Sequence, residues 1–109
     1  MISAVAYLSM HTSPLHRPGE GDAGGMNVYL DRLARTMAGR DVRVTVFTRR
    51  IDESAPEVIE IVPGYEVVQI AAGPPRRLPR SEEVGLVSGF GDGVLAWIEP
   101  GSTIALVGS

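Results

Sequence analysis

The chain has 109 residues, 44% of them hydrophobic, no cysteine and a formal net charge of −3. That is one domain or a piece of one, with apolar matter enough for a core. It excludes a disulfide framework and a thiolate metal site, and it argues against general nucleic-acid binding, which needs a basic face.

No apolar run reaches the roughly 18 residues of a membrane span, and the N-terminus has no basic region of a secretory signal, so a cytoplasmic location is expected. All ten basic residues are arginine. Compositional bias accounts for this most simply, although the guanidinium fork also suits carboxylates and phosphates.

Residues 2–10 are nearly all apolar without alternation, as in a strand buried on both faces of a parallel sheet. The stretch "HTSPLHRPGEGDAGGMNVY", 11–29, follows with four glycines and two prolines. Leu30, Leu33, Ala34, Met37 and Ala38 then form one helical stripe. Asp31 and Arg35 are a supporting pair four apart, and Gly39 stands where a C-terminal cap is expected. "DVRVTVFT", 41–48, alternates Val42, Val44 and Val46 and reads as a second strand. Strand, helix and strand make a βαβ unit with a right-handed crossover.

After a loop, 58–62 and 65–71 read as short strands joined by a Pro63-Gly64 turn. "GPPRRLPR", 73–80, is a stiff loop carrying Arg76, Arg77 and Arg80. Ser81 is the expected N-cap of a helix reaching towards Trp97, with Glu82 and Glu83 in its first turn. Val84, Val87, Val94 and Ile98 are its expected apolar face. Gly85, Gly89, Gly91 and Gly93 weaken that helix by up to roughly 1 kcal/mol each. "TIALVGS", 103–109, reads as a last buried strand. The expected fold is α/β, a Rossmann-like parallel sheet. A doubly wound sheet continues past such a strand with a loop and a helix, so the expectation is an incomplete domain.

In open α/β sheets ligands bind outside the carboxyl ends of the strands, where 11–29 falls. Gly24 and Gly25 stand at the mouth of the first helix, where backbone N–H groups and the helix dipole accept anions, phosphate above all. Glycine lets the backbone approach closely. Asp22 and Asn27 can hydrogen-bond hydroxyls, and His11 lies at the strand end. The pattern suits a phosphorylated, hydroxyl-rich ligand. It matches neither the dinucleotide nor the Walker fingerprint. A tight turn at Gly24-Gly25 and simple capping by Asp22 and Asn27 are the structural alternatives. Tyr7 and Tyr29 are expected to pack.

The string "HTSPL..PG.GDAGGMNVYL..LA" resembles the N-terminal segment of retaining family 4 glycosyltransferases. The likeness is dense over 1–50, looser through "VPGYEVVQIAAGP" to about Arg80, and fades beyond. The nearest members move N-acetylglucosamine from UDP-N-acetylglucosamine to 1D-myo-inositol 3-phosphate in mycothiol biosynthesis.

The resemblance implies a GT-B fold, two Rossmann-like domains facing a cleft. Residues 1–109 then form part of the N-terminal, acceptor-side domain, without the C-terminal donor-binding one. It implies acceptor contacts at His11, Asp22, Ala23, Gly24, Gly25, Met26 and Asn27, and donor contacts at Arg17, Pro18 and Gly25. Arg80 falls where the nearest members have a lysine that holds the acceptor phosphate; the charge is kept and the geometry changes. His16-Arg17 and "GLVSGFGDG" depart from the family pattern.

No catalytic nucleophile and no metal site are assigned, and no cofactor is expected in this chain. A UDP-sugar enters as substrate, with Mg²⁺ arriving alongside it in the whole enzyme. The partners are small molecules, the donor and a cyclitol phosphate. A homodimer through the sheet edge after Val107 is a further expectation. Residues 1–109 alone are expected to lack transferase activity. Two other readings stay open: a non-catalytic sugar-phosphate binding module, and an inert truncated remnant.

Overall fold

The computed structural model describes residues 4–10, 25–98 and 105–108, with backbone alone at 25–27, 80 and 105–108. The elements are β1 (Ala4–Leu8), α1 (Gly25–Ala38), β2 (Arg43–Arg49), β3 (Val58–Val62), β4 (Tyr65–Ile70), α2 (Arg80–Glu83), α3 (Val87–Trp97) and β5 (Ala105–Gly108). A 3₁₀ turn, Val84–Leu86, joins α2 to α3.

One five-stranded sheet has the order β3-β4-β2-β1-β5. β1, β2, β4 and β5 pair in parallel, with Val5 opposite Val44 and Ala105, and Val46 opposite Val67. β3 alone runs antiparallel, beside β4. The reason is local: Pro63-Gly64 reverses the chain, and Gly64 has φ +90°, a conformation glycine adopts without a Cβ penalty.

Alternation along the strands sorts side chains onto two faces. Val44, Val46, Tyr65 and Val67 pack with Leu30 and Ala34 of α1. Ala6, Phe47, Val68 and Ile70 pack with Phe90 and Val94 of α3. The result is a helix–sheet–helix sandwich, the α/β class expected from the sequence. Across the first layer the Tyr65 hydroxyl donates to Asp31 at 2.9 Å. Asp31 also accepts from Arg35 Nε at 2.9 Å, so the helical pair that the spacing implied is tied to the sheet.

Several local expectations are corrected. Gly39 is not the capping residue. The left-handed residue after α1 is Asp41, at φ +63°. Its N–H donates to Ala38 O at 3.3 Å, and Val42 N–H donates to Met37 O at 3.1 Å. Those two bonds are the Schellman pattern, which puts Asp41 at the position glycine usually holds. Asp tolerates that conformation better than most residues.

Ser81 is not an N-cap. α2 already begins at Arg80, and the N–H groups of Glu82 and Glu83 donate to Pro79 O at 2.9 and 3.1 Å. The expected single helix is also broken at 84–86. That break rotates the apolar face, so Val84 and Val87 are 67% and 55% exposed while Phe90 and Val94 are buried. Tyr29, expected to pack, is 63% exposed.

Gly73 and Gly93 have specific reasons. Gly73 has φ +70°, and a Cβ there would meet Leu86 Cδ1 at 2.5 Å. A Cβ on Gly93 would collide with Ile70 Cγ2. The glycine thus seats α3 directly on the end of β4.

Candidate functional site

From β1 the chain steps through β2 to β4, then returns to the far side of β1 as β5. The strand order therefore reverses between β1 and β5, and the crevice outside their carboxyl ends is where open α/β sheets bind ligands. β1 leads into the glycine-rich stretch from this end, and α1 begins directly after it.

Gly25, Met26 and Asn27 form the first turn of α1. Their N–H groups have no intrahelical acceptor and lie at the positive end of a 14-residue helix. His11, Arg17, Pro18, Asp22, Ala23 and Gly24 lie outside the described residues. Arg80 is the first residue of α2. The loop before it leaves β4 at the same carboxyl edge of the sheet. The fold therefore brings the α1 N-terminus and the 71–80 segment to one edge, though they are far apart in sequence.

Other groups gather at this edge. Ser9 continues the β1–β2 ladder, its N–H donating to Phe47 O at 2.9 Å. Tyr7 lies one turn of the pleat earlier, on the face that α1 covers. Burial first, and then neighbouring Tyr29, hold its phenol above the ordinary 10.0. On the same face the Thr48 hydroxyl is buried with no hydrogen-bond partner among the described residues.

At the end of β2, Arg49 turns to the α3 face and is fully buried. Its Nε donates to Glu83 Oε2 at 3.0 Å, and the two side chains are 0% and 6% exposed. Nη1 donates to Pro74 O at 2.7 Å and to Ala72 O at 3.3 Å. Nη2 donates to Arg76 O at 2.5 Å. A buried charge is tolerable only when paired and fully hydrogen-bonded, and here the guanidinium fork meets both conditions.

Sequence reasoning missed this centre. The signal was present, since Arg49 alternates with Phe47 and must share its inward face. Such an arginine demands a carboxylate partner, but its position 34 residues along the chain was not readable from spacing.

A cavity of about 310 Å³ opens beside the carboxyl end of β4, lined by Arg50, Glu57, Gln69, Ile70 and Trp97 among others. A smaller one of about 150 Å³ lies at the opposite edge, by Arg43, Glu60 and Gly64. Among the described residues no three His, Asp or Glu side chains are grouped to hold a metal ion, and no helix is long and apolar enough to cross a membrane.

No family model matches the chain. Individual proteins do. The D-inositol 3-phosphate glycosyltransferase of Streptosporangium roseum is 48% identical over 103 residues, covering 92% of this chain and 24% of that protein. The protein of the same name from Salinispora arenicola is 50% identical over 91 residues, covering 84% of this chain and 20% of that protein. Among solved structures, sucrose-phosphate synthase from Thermosynechococcus elongatus superimposes with a TM-score of 0.83 at 30% identity, over 87% of this chain and 24% of that one.

The chain is a relative of these glycosyltransferases. Its sheet matches the N-terminal region of a GT-B glycosyltransferase, as the motif at 11–34 implied. It spans about a quarter of the length of the relatives it matches. A match of 103 residues also runs well past Arg80. The alignment therefore spans α3 as well.

Proposed function

We propose that this chain supplies the acceptor side of a retaining glycosyltransferase. The enzyme moves N-acetylglucosamine from UDP-N-acetylglucosamine to a phosphorylated cyclitol such as 1D-myo-inositol 3-phosphate, in the cytoplasm. The observation that carries the reading is the identity of 45–50% to D-inositol 3-phosphate glycosyltransferases, on a sheet whose switch point lies at the glycine-rich stretch.

In this reading the N–H groups at the mouth of α1, including those of Gly24 and Gly25, face the donor diphosphate. They stabilise the charge that grows as UDP departs, the electrostatic role of preorganised donors. His11, Asp22 and Asn27 hold the cyclitol hydroxyls, and Arg17 and Pro18 border the nucleotide sugar. Arg80, from the facing segment, pairs with the acceptor phosphate, which an arginine fork grips in two places where a lysine grips in one. Holding the acceptor hydroxyl against the sugar face it attacks supplies much of the rate. The residues that bind uridine, and any Mg²⁺ with the diphosphate, belong to the rest of the enzyme.

Calorimetric titration tests the acceptor assignment. 1D-myo-inositol 3-phosphate should bind saturably and at least about tenfold more tightly than myo-inositol or inorganic phosphate, since charge-assisted contacts add to hydroxyl contacts. Equal affinity for all three, or none for any, overturns the assignment.

A further inference from the structure

We infer that Arg49 and Glu83 are positioning residues for acceptor-phosphate recognition, acting through the 72–80 segment; this rests on the assignment of Arg80 to the phosphate. The argument begins with what the buried guanidinium holds. Besides a long bond to Arg50 O at 3.5 Å, its hydrogen bonds go to three backbone carbonyls, those of Ala72, Pro74 and Arg76, and to the Glu83 carboxylate. Those four partners bracket the loop from its departure out of β4 to the end of α2.

Few backbone hydrogen bonds fix the loop among the described residues. Pro74 and Pro75 donate no N–H. Its own backbone bonds are Arg76 N–H to Pro74 O and the two N–H groups of α2 on Pro79 O. α2 is a single turn, too short to be stable by itself. One arginine on a strand of the central sheet therefore holds the path of 72–76 from inside. Glu83 neutralises that arginine and ties the far end of α2 to the same point. Gly73, in a conformation that suits glycine and packed on Leu86, gives the chain its exit angle.

Consequently the backbone that carries residue 80 is held by contacts that lie outside the proposed acceptor site. Loss of the Arg49 fork frees the loop, and the folded protein then has to order it when the phosphate binds. Pre-ordering of this kind raises affinity by lowering the cost of binding.

The test compares 1D-myo-inositol 3-phosphate affinities of the full chain and of Arg80→Ala, Glu83→Gln and Arg49→Lys, each measured where the protein is folded by its amide spectrum. Arg49→Lys keeps the charge beside Glu83 and removes the fork, so it serves if Glu83→Gln does not fold. The expected result is that Arg80→Ala, Glu83→Gln and Arg49→Lys each weaken binding of the phosphorylated cyclitol about tenfold or more and leave the weak binding of myo-inositol unchanged. A purely structural pair lowers the unfolding midpoint and leaves the affinity of the folded protein alone. That outcome, with Arg80→Ala still weakened, overturns the positioning role by itself. If Arg80→Ala binds as the parent does, or the parent does not bind, the Arg80 assignment fails and the positioning role with it.

Discussion

The glycines of α3 allow one substitution to be tried in two settings on the same helix. Gly91→Ala places a Cβ in open space, with no heavy atom beyond its chain neighbours and its own helix backbone within 4 Å among the described residues. In mid-helix that change removes backbone freedom from the unfolded chain and stabilises by roughly 0.5–1 kcal/mol. Gly93→Ala gains the same term but drives its Cβ into Ile70 Cγ2. Ile70 is 7% exposed and packs in the core with Phe90 and Val94. Its β-branched side chain is stiff at χ1 and cannot swing aside. Overpacking of a filled core costs about 1–3 kcal/mol, so the net effect at position 93 is a loss of about 1 kcal/mol.

The two variants should then differ by about 2 kcal/mol, on the order of 8 °C or more in Tm for a domain near this size. Urea unfolding with a common m-value reads the difference directly. Equal stabilisation by both substitutions would refute the seating of α3 on Ile70, and with it the placement of the second core cluster.

Other outcomes follow from single contacts. Tyr65→Phe removes the hydrogen bond to Asp31, whose side chain is 27% exposed and keeps Arg35; the cost in denaturant unfolding is about 1 kcal/mol. Burial, then that bond and the Asp31 charge, raise the Tyr65 phenol above 10.0, against a smaller opposing effect of Arg35. A raised folded value means the contribution is whole below pH 10 and fades as the pH rises further. The stability of Tyr65→Phe should accordingly fall less steeply in the alkaline range than that of the parent. Asp41→Gly relieves a non-glycine residue at φ +63° and should raise the unfolding free energy by roughly 0.5–1 kcal/mol. Glu83→Ala leaves the buried Arg49 charge unpaired and should cost about 3 kcal/mol, with strong non-additivity in a double-mutant cycle with Arg49→Met.

Periodicity carried most of the fold. β3 was legible to the residue because a Pro-Gly turn bounds it, and α1 because its stripe is regular. The broken second helix was not, since Val84 and Val87 sit at helical spacing from Val94 and only the 3₁₀ turn moves them to the surface. The cap at Asp41 was hidden by Gly39, a better candidate by composition and two residues too early. That the glycine-rich stretch follows the carboxyl end of a buried strand and leads into a helix was legible from the run of glycines after an apolar strand. The buried Arg49–Glu83 pair was not, because it joins two elements that become neighbours only when α2 folds over the end of the sheet.

The most direct measurement is a titration of the isotope-labelled protein with 1D-myo-inositol 3-phosphate, following the backbone amides of Gly24 and Gly25 and those of Arg76, Arg77, Leu78 and Arg80. An acceptor site at the switch point predicts concerted, saturable shifts at both groups, with myo-inositol moving them only slightly. Shifts confined to one group, or shifts that inorganic phosphate reproduces in full, would contradict it.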